Sequence, residues 1–276
     1  SCRKQGKIML PEDLESTPFP IIDTHAHYDD AAFDGCRDEL LRQIYGYGVK
    51  KIITASVDLD SSAENCLALS RKYPFCLTAI GVHPETVEAG GTLDEQRLLS
   101  LCREPSVVAV GEIGLDYHYS DDKKAEQRDI FKRQCEIANE LSLPVVIHDR
   151  DAHGDTLDIV SETRPMGVIH CFSGSTESAL EYCRLGMYIG IGGVITFKNA
   201  RKTVEVAAAV PMENILLETD APYLAPVPYR GSLCNSAFII KAAERIAEIK
   251  CIPVETVLKV AALNAARLFG NALKLN

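Results

Sequence analysis

From residue 20 onward, short stretches of β-branched and aliphatic residues alternate with longer ones whose apolar positions recur every three or four residues. The short stretches are Pro20–Thr24, Lys51–Val57, Phe75–Val82, Val107–Ile113, Pro144–His148, Gly167–His170, Met187–Ile191 and Asn214–Glu218. Brief, near-continuous apolar runs are those of strands buried on both faces, as in a parallel sheet covered by helices. Between them, Asp38–Tyr47, Ala63–Tyr73, Lys124–Leu141 and Thr176–Leu185 carry helical spacing. Two more helices, Ala237–Ile249 and Val254–Leu268, follow the last strand, with Ile252-Pro253 supplying the break between them. Eight β/α units in roughly 250 residues predict an α/β protein, a TIM (β/α)8 barrel forming a single domain over 19–276. An open doubly wound sheet is the runner-up, but it would place a glycine-rich phosphate turn after the first strand, where this chain has His25 and His27. Residues 1–18 are polar, contain an internal Met9 and show no periodic apolar face. They read as an N-terminal arm or an added remnant, and no function is assigned to them.

Composition narrows the function. The chain has 276 residues, 46% of them hydrophobic, enough for a substantial core. With 39 acidic against 29 basic residues the formal charge is -10, which argues against coating duplex DNA through a basic face. An enzyme that handles phosphates through bound cations remains allowed. The ten cysteines are scattered with no CxxC pair, so they read as reduced thiols of a cytoplasmic protein. No apolar run reaches the ~18 residues of a membrane helix, and no signal-peptide pattern stands near the start.

The polar residues then fall into place. Period-2 alternation points positions 23, 25 and 27 one way, so the imidazoles of His25 and His27 can share one metal ion. His83 follows the third strand, His148 and His170 close the fifth and sixth, Glu112 lies near the end of the fourth, and Asp220 follows the eighth. In a barrel these positions converge on the C-terminal mouth, where active sites of this fold are built. Singly, His148 and His170 fit core histidines, Glu112 a glycine-flanked turn and Asp220 an ordinary turn aspartate. Jointly, four histidines and two carboxylates suit Zn, Mn, Fe or Co, with Mg less well matched, and exceed what one open catalytic ion needs. Two divalent metal ions sharing a bridging carboxylate, Glu112, fit better. His83 reads as a substrate contact; His118 and His153 read as ordinary loop or helix-start residues.

The runs DTHAHYD (23–29), GVHPE (81–85), GEIGLDYHY (111–119), PVVIHDRDA (144–152), GVIHCFSGS (167–175), ETDAPYLAPVPYRG (218–231) and NAARLFG (264–270) resemble the successive signatures of the TatD family of metal-dependent deoxyribonucleases. The resemblance implies that His25, His27 and Asp220 hold one metal, that Glu112 bridges, and that His148 and His170 hold the second. It also implies a DNA phosphodiester substrate, single-stranded or presented as a 3′ end, cleaved 3′ to 5′ without an obligate protein partner. One stretch departs from the pattern. Members often follow Tyr-Arg-Gly with a Lys-Arg-Asn-Glu-Pro type segment, whereas Tyr229-Arg230-Gly231 precedes Ser232-Leu233-Cys234-Asn235-Ser236 here.

The expected chemistry is hydrolysis at the metal pair, which lowers the pKa of water from about 15.7 toward ~7 so that a hydroxide nucleophile exists at neutral pH. Asp220 would orient that water and take its proton. Arg230 would clamp a phosphate oxygen, with Arg150 a weaker candidate, and Tyr223 and Tyr117 would stack on a base. The rivals are an amidohydrolase or lactonase on the same scaffold and, from another class, a metal-binding protein without catalysis.

Overall fold

Eight strands pair in parallel and in chain order: β1 (Ile21–Ala26), β2 (Val49–Ala55), β3 (Cys76–Ile80), β4 (Val107–Asp116), β5 (Val145–Arg150), β6 (Gly167–Ile169), β7 (Tyr188–Ile191) and β8 (Ile215–Leu217). They are seen in a computed structural model that describes residues 10, 11, 14, 17–118 and 122–275. The expected arm over 1–18 lies largely outside the described residues. The seam between β1 and β8 closes the barrel. There Thr24 Oγ1 donates to the Leu217 carbonyl at 3.0 Å, the Asp220 amide donates to the His25 carbonyl at 3.0 Å, and Ala26 bridges Ala221.

Among the described residues ten helices wrap this sheet: α1 (Arg37–Tyr47), α2 (Ser61–Lys72), α3 (Pro84–Glu88), α4 (Glu95–Leu101), α5 (Lys124–Leu141), α6 (His153–Thr163), α7 (Thr176–Arg184), α8 (Arg201–Ala209), α9 (Ile239–Lys250) and α10 (Val254–Phe269). In α5 the buried residues Phe131, Gln134, Cys135 and Ala138 recur at i, i+3, i+4 and i+7, the spacing that turns one face to the barrel. No glycine stops α9. Cys251 takes the left-handed position instead, at φ 53°, before Pro253.

Two apolar layers result. Val145, Ile147, Ile169 and Ile215 pack outward against helices, in one cluster with Phe131 and Ile159. Ile22, Ile53, Leu77, Val108, Val146, Val168 and Leu216 form a separate cluster, joined by Ala265 and Phe269 of α10 and by Leu273. Since side chains two apart share a face, Val146, Val168 and Leu216 point the same way as His148, His170 and Glu218. The second cluster therefore fills the barrel interior beneath the polar mouth, with α10 closing the opposite end.

The expectation of reduced thiols throughout needs one correction. Cys66, Cys76, Cys102, Cys135, Cys171, Cys183, Cys234 and Cys251 are free, but Cys36 is disulfide-bonded. Spacing along the chain does not show which sulfurs meet in space. Among the described residues no helix is long and apolar enough to cross a membrane.

Candidate metal centre

Glu112 is the hub of the mouth. Its Oε2 lies 3.4 Å from His25 Nε2 and 3.3 Å from His27 Nε2; its Oε1 lies 2.8 Å from His170 Nε2, 3.0 Å from His148 Nδ1 and 3.3 Å from His83 Nε2. One carboxylate oxygen thus faces β1 and the other faces β3, β5 and β6. Asp220 completes the β1 side, with Oδ1 at 3.6 Å from His25 Nε2 and 3.5 Å from His27 Nε2. Its backbone sits at φ 59°, in the left-handed region that Asp tolerates better than most residues. Gly114 lets β4 approach β5 here: a Cβ at that position would come within 1.9 Å of the His148 carbonyl oxygen.

Hydrogen-bond accounting decides which ring nitrogens offer a lone pair. His27 Nδ1 lies 3.0 Å from the Ala55 carbonyl, and His148 Nε2 lies 3.0 Å from Asp116 Oδ2. Each therefore donates from that nitrogen, which leaves Nε2 of His27 and Nδ1 of His148 as the nitrogens that can give up a proton to a metal ion. His25 Nε2 and His27 Nε2 are 3.1 Å apart, and His148 Nδ1 and His170 Nε2 are 3.3 Å apart. Two metal–nitrogen bonds of about 2.0–2.1 Å, meeting between a right and a tetrahedral angle, span about 3 Å. Such nitrogen pairs fit a shared cation better than they fit each other. His83 differs. Its Nδ1 accepts from the Glu85 amide at 3.1 Å at the start of α3, so its Nε2 carries the proton and donates.

The electrostatics agree. Burial pushes His25 down to about 4, helped by the neighbouring His170. Burial also opposes charge on His148, but hydrogen bonds to Asp116 and Glu112 carry it up to about 10. Burial would raise Glu112, yet the imidazoles of His170, His83, His25 and His148 hold it well below the ordinary carboxylate range. For Asp220, too, burial is outweighed, chiefly by the hydrogen bond from His27. Two buried anions ringed by imidazoles are ready to exchange protons for divalent charge. His25, His27 and Asp220 form one ligand group, His83, Glu112 and His148 a second that shares no residue with it, and His25, Glu112 and His170 a third, so the mouth can hold two divalent ions.

These groups open into a cleft of about 960 Å³ whose lining includes His27, His83, Glu112, His148, His170, Asp220, Tyr223 and Arg150. Among the described residues Arg150 is its one arginine or lysine, against seven carboxylates including Asp29, Asp30, Asp58 and Glu85. Tyr223 donates to Asp30 at 2.6 Å. Tyr117 and Arg230 do not line the cleft: Tyr117 donates to Asp155 at 2.7 Å, and Arg230 stacks on Phe197 at 3.9 Å. Asp23 also stands apart from its two histidines. It accepts from Thr219 Oγ1 at 2.6 Å and from the Thr219 amide at 3.1 Å, tying β1 to the end of β8.

Two site carboxylates were given no role from the sequence, although Glu218 stands at the expected end of the eighth strand. Asp116 holds His148, and Glu218 accepts from the Cys171 amide at 2.5 Å beside His170. Asp116 was within reach, because it stands four residues beyond Glu112 in one strand and so on the same face. Glu218 is buried and pushed up to about 8 by burial, which no local pattern announces.

A barrel whose mouth gathers buried imidazoles around a central carboxylate defines the class: a metal-dependent hydrolase. The chain belongs to the TatD family, whose model, described as TatD related DNase, matches residues 22–270. It is 35% identical over 254 residues to an uncharacterized metal-dependent hydrolase, YabD, of Bacillus subtilis, covering 90% of this chain and 98% of that protein. It is 36% identical over 259 residues to the 3'-5' ssDNA/RNA exonuclease TatD of Cronobacter turicensis, covering 90% and 97%. Among solved structures, the TatD homolog YjjV of Escherichia coli superposes with a TM-score of 0.84 at 32% identity, covering 90% of this chain and 97% of that one.

Proposed function

We propose that the chain, acting as one hydrolase unit over 19–276, cleaves phosphodiester bonds of DNA from the 3′ end of a single strand. The observation that carries this reading is the division of Glu112, with one oxygen toward His25 and His27 and the other toward His148 and His170. In it His25, His27 and Asp220 would hold one ion, His148 and His170 would hold the second, and Glu112 would be shared between them. When bound, two divalent ions supply charge that offsets the phosphoryl oxygens and lowers the pKa of water.

The chain's own groups do the rest. Asp220, kept ionised by His27, orients the attacking water and accepts its proton at Oδ. His83, with its proton on Nε2, donates to a phosphoryl oxygen. Arg150 is the cationic side chain placed to meet a phosphate. Tyr223 edges the opening, half exposed, where a terminal base can lie on it. The acidic rim of Asp29, Asp30, Asp58 and Glu85 repels a long polyanion running across it, which favours entry of a strand end over an internal segment. The exonuclease named in Cronobacter turicensis supports the same substrate.

The test is the product ladder from 3′- and 5′-labelled oligonucleotides after chelation and reloading with Mg, Mn, Co or Zn. Stepwise shortening from the 3′ end is expected. Turnover of a lactone or an amide with no oligonucleotide cleavage would replace the reading with the amidohydrolase one.

A further inference from the structure

A second cleft, of about 940 Å³, opens at the other end of the barrel. Its walls come from the entries to the strands: Thr17–Pro20 before β1, Tyr45–Gly48 with Lys50 and Lys51 around the start of β2, Pro74 and Phe75 before β3, and Lys274 and Leu275 near the end of the chain. The catalytic residues sit at the strand exits, so the barrel's length separates the two clefts.

Its chemistry inverts that of the mouth. Arg42, Lys50, Lys51 and Lys274 line it together with Phe19, Tyr45, Tyr47 and Phe75, and no carboxylate does among the described residues. Several surface cations elsewhere are paired: Lys72 with Asp38, Arg97 with Glu64, Lys132 with Glu162, Arg133 with Glu95. None of the four cleft cations forms a salt bridge with a described carboxylate. Arg42 feels Asp38 only at longer range, and that carboxylate is already held by Lys72 and Tyr73. Tyr45, 45% exposed, packs on Phe75 with ring centroids 4.7 Å apart, and Lys50 Nζ lies 4.5 Å over the Tyr45 ring.

We propose that this cleft binds single-stranded nucleic acid, with phosphates on Arg42, Lys50, Lys51 and Lys274 and a base stacked against the Tyr45–Phe75 wall. Lys50 also donates to the Tyr45 carbonyl at 3.2 Å, which holds it at the aromatic wall. Cations free of carboxylate partners beside an accessible aromatic wall are the two elements that sequence-tolerant single-strand binding requires. An anionic bilayer calls for a projecting apolar surface, and this one is concave. An acidic peptide would leave the aromatic wall without a counterpart. The inference goes beyond the hydrolytic reading and does not depend on it, because binding is measured without turnover.

The test uses the full chain in EDTA and fluorescence anisotropy with a labelled oligothymidylate. The charge-reversal pair Lys51→Glu and Lys274→Glu is expected to weaken binding at least tenfold at low salt. It should also flatten the slope of log affinity against log salt by about 1.4, two contacts at ~0.7 each. Tyr45→Ala should weaken binding at least fivefold and leave the slope unchanged. Chromogenic phosphodiester turnover by the metal-loaded variants should match the parent, which separates this site from the mouth and reports folding. Should the reversal pair misfold, Lys274→Glu alone with Lys51→Gln serves, with a smaller loss in the same direction. Affinity unchanged within twofold in these variants overturns the proposal. So does equal displacement of the oligonucleotide by polyglutamate, or binding to phosphatidylserine vesicles that the same variants abolish while oligonucleotide binding persists.

Discussion

The two ends of this barrel are built on opposite principles. At the strand exits, charged groups are buried and each is held by several others: Glu112 alone meets five imidazoles. At the strand entries, Phe269, Ala265 and Leu273 seal the interior with apolar packing, and the charged groups around them stay on the surface. The difference teaches where each kind of free energy resides. Buried, mutually dependent charges contribute little net stability yet fix ligand geometry, whereas apolar packing supplies stability and no chemistry. Mutations at the two ends should therefore separate activity from stability, in opposite senses.

The largest effect is expected at the hub. Glu112→Ala removes the anion that both histidine groups share, leaving His170 and His25 without their counter-charge. Hydrolysis should fall to background, and metal content per chain should drop from two ions toward one or none. Near-ultraviolet circular dichroism should show the fold retained. Measurable turnover with two ions still bound would break the comparison at its centre.

Phe269→Ala probes the other end. Truncating a buried phenylalanine costs about 3–5 kcal/mol, and this one closes the interior cluster. Urea denaturation should register that loss, with specific activity per folded molecule unchanged below the transition. A proportionate fall in kcat would mean that the two ends are not independent.

Between these lies a residue of the mouth that touches no ligand position itself. Asp116 acts through His148, fixing the tautomer that turns Nδ1 inward. Asp116→Ala should lower metal affinity by roughly 10–100-fold. Excess metal should restore most of kcat, a rescue that a merely structural defect would not show.

Much of this was legible in the chain, and the limits have physical causes. The strand pattern placed all eight β/α units, and Lys124–Leu141 emerged with its predicted bounds because one uninterrupted amphipathic face spans it. The expected fourth strand stopped at Ile113, but β4 runs on to Asp116, since Gly114 interrupts the pattern without ending the pairing. Helices α3 and α4 are too short to show a period, so they passed as loop. The convergence of His25, His27, Glu112, His148, His170 and Asp220 could be read because barrel topology sends every strand end to one rim. Tyr117 and Arg230 could not be placed the same way, since they sit beyond strand ends, where direction depends on loop contacts with Asp155 and Phe197. The basic cleft escaped because its cations come from segments near both termini, and no local charge run announces it.

The smallest effect sharpens the comparison at the exposed rim of the mouth. His153 begins α6, and its Nδ1 lies 2.8 Å from Asp149 Oδ2, which raises the imidazole above its ordinary value against partial burial. The folded state then binds this proton more tightly than the unfolded chain. The stabilisation is complete below the unfolded value of about 6.5 and is lost as pH rises through the higher folded one. Being half exposed, the pair is discounted to about 0.5 kcal/mol, and the positive end of the α6 dipole opposes it further. In a protein of this size that corresponds to roughly 1–2 °C in Tm. His153→Gln should lower Tm by that amount at pH 5.5 and leave it unchanged at pH 9, with hydrolysis unaffected at both. A loss of activity would instead assign this rim histidine to the reaction, and the boundary between the buried centre and its surround would have to move outward.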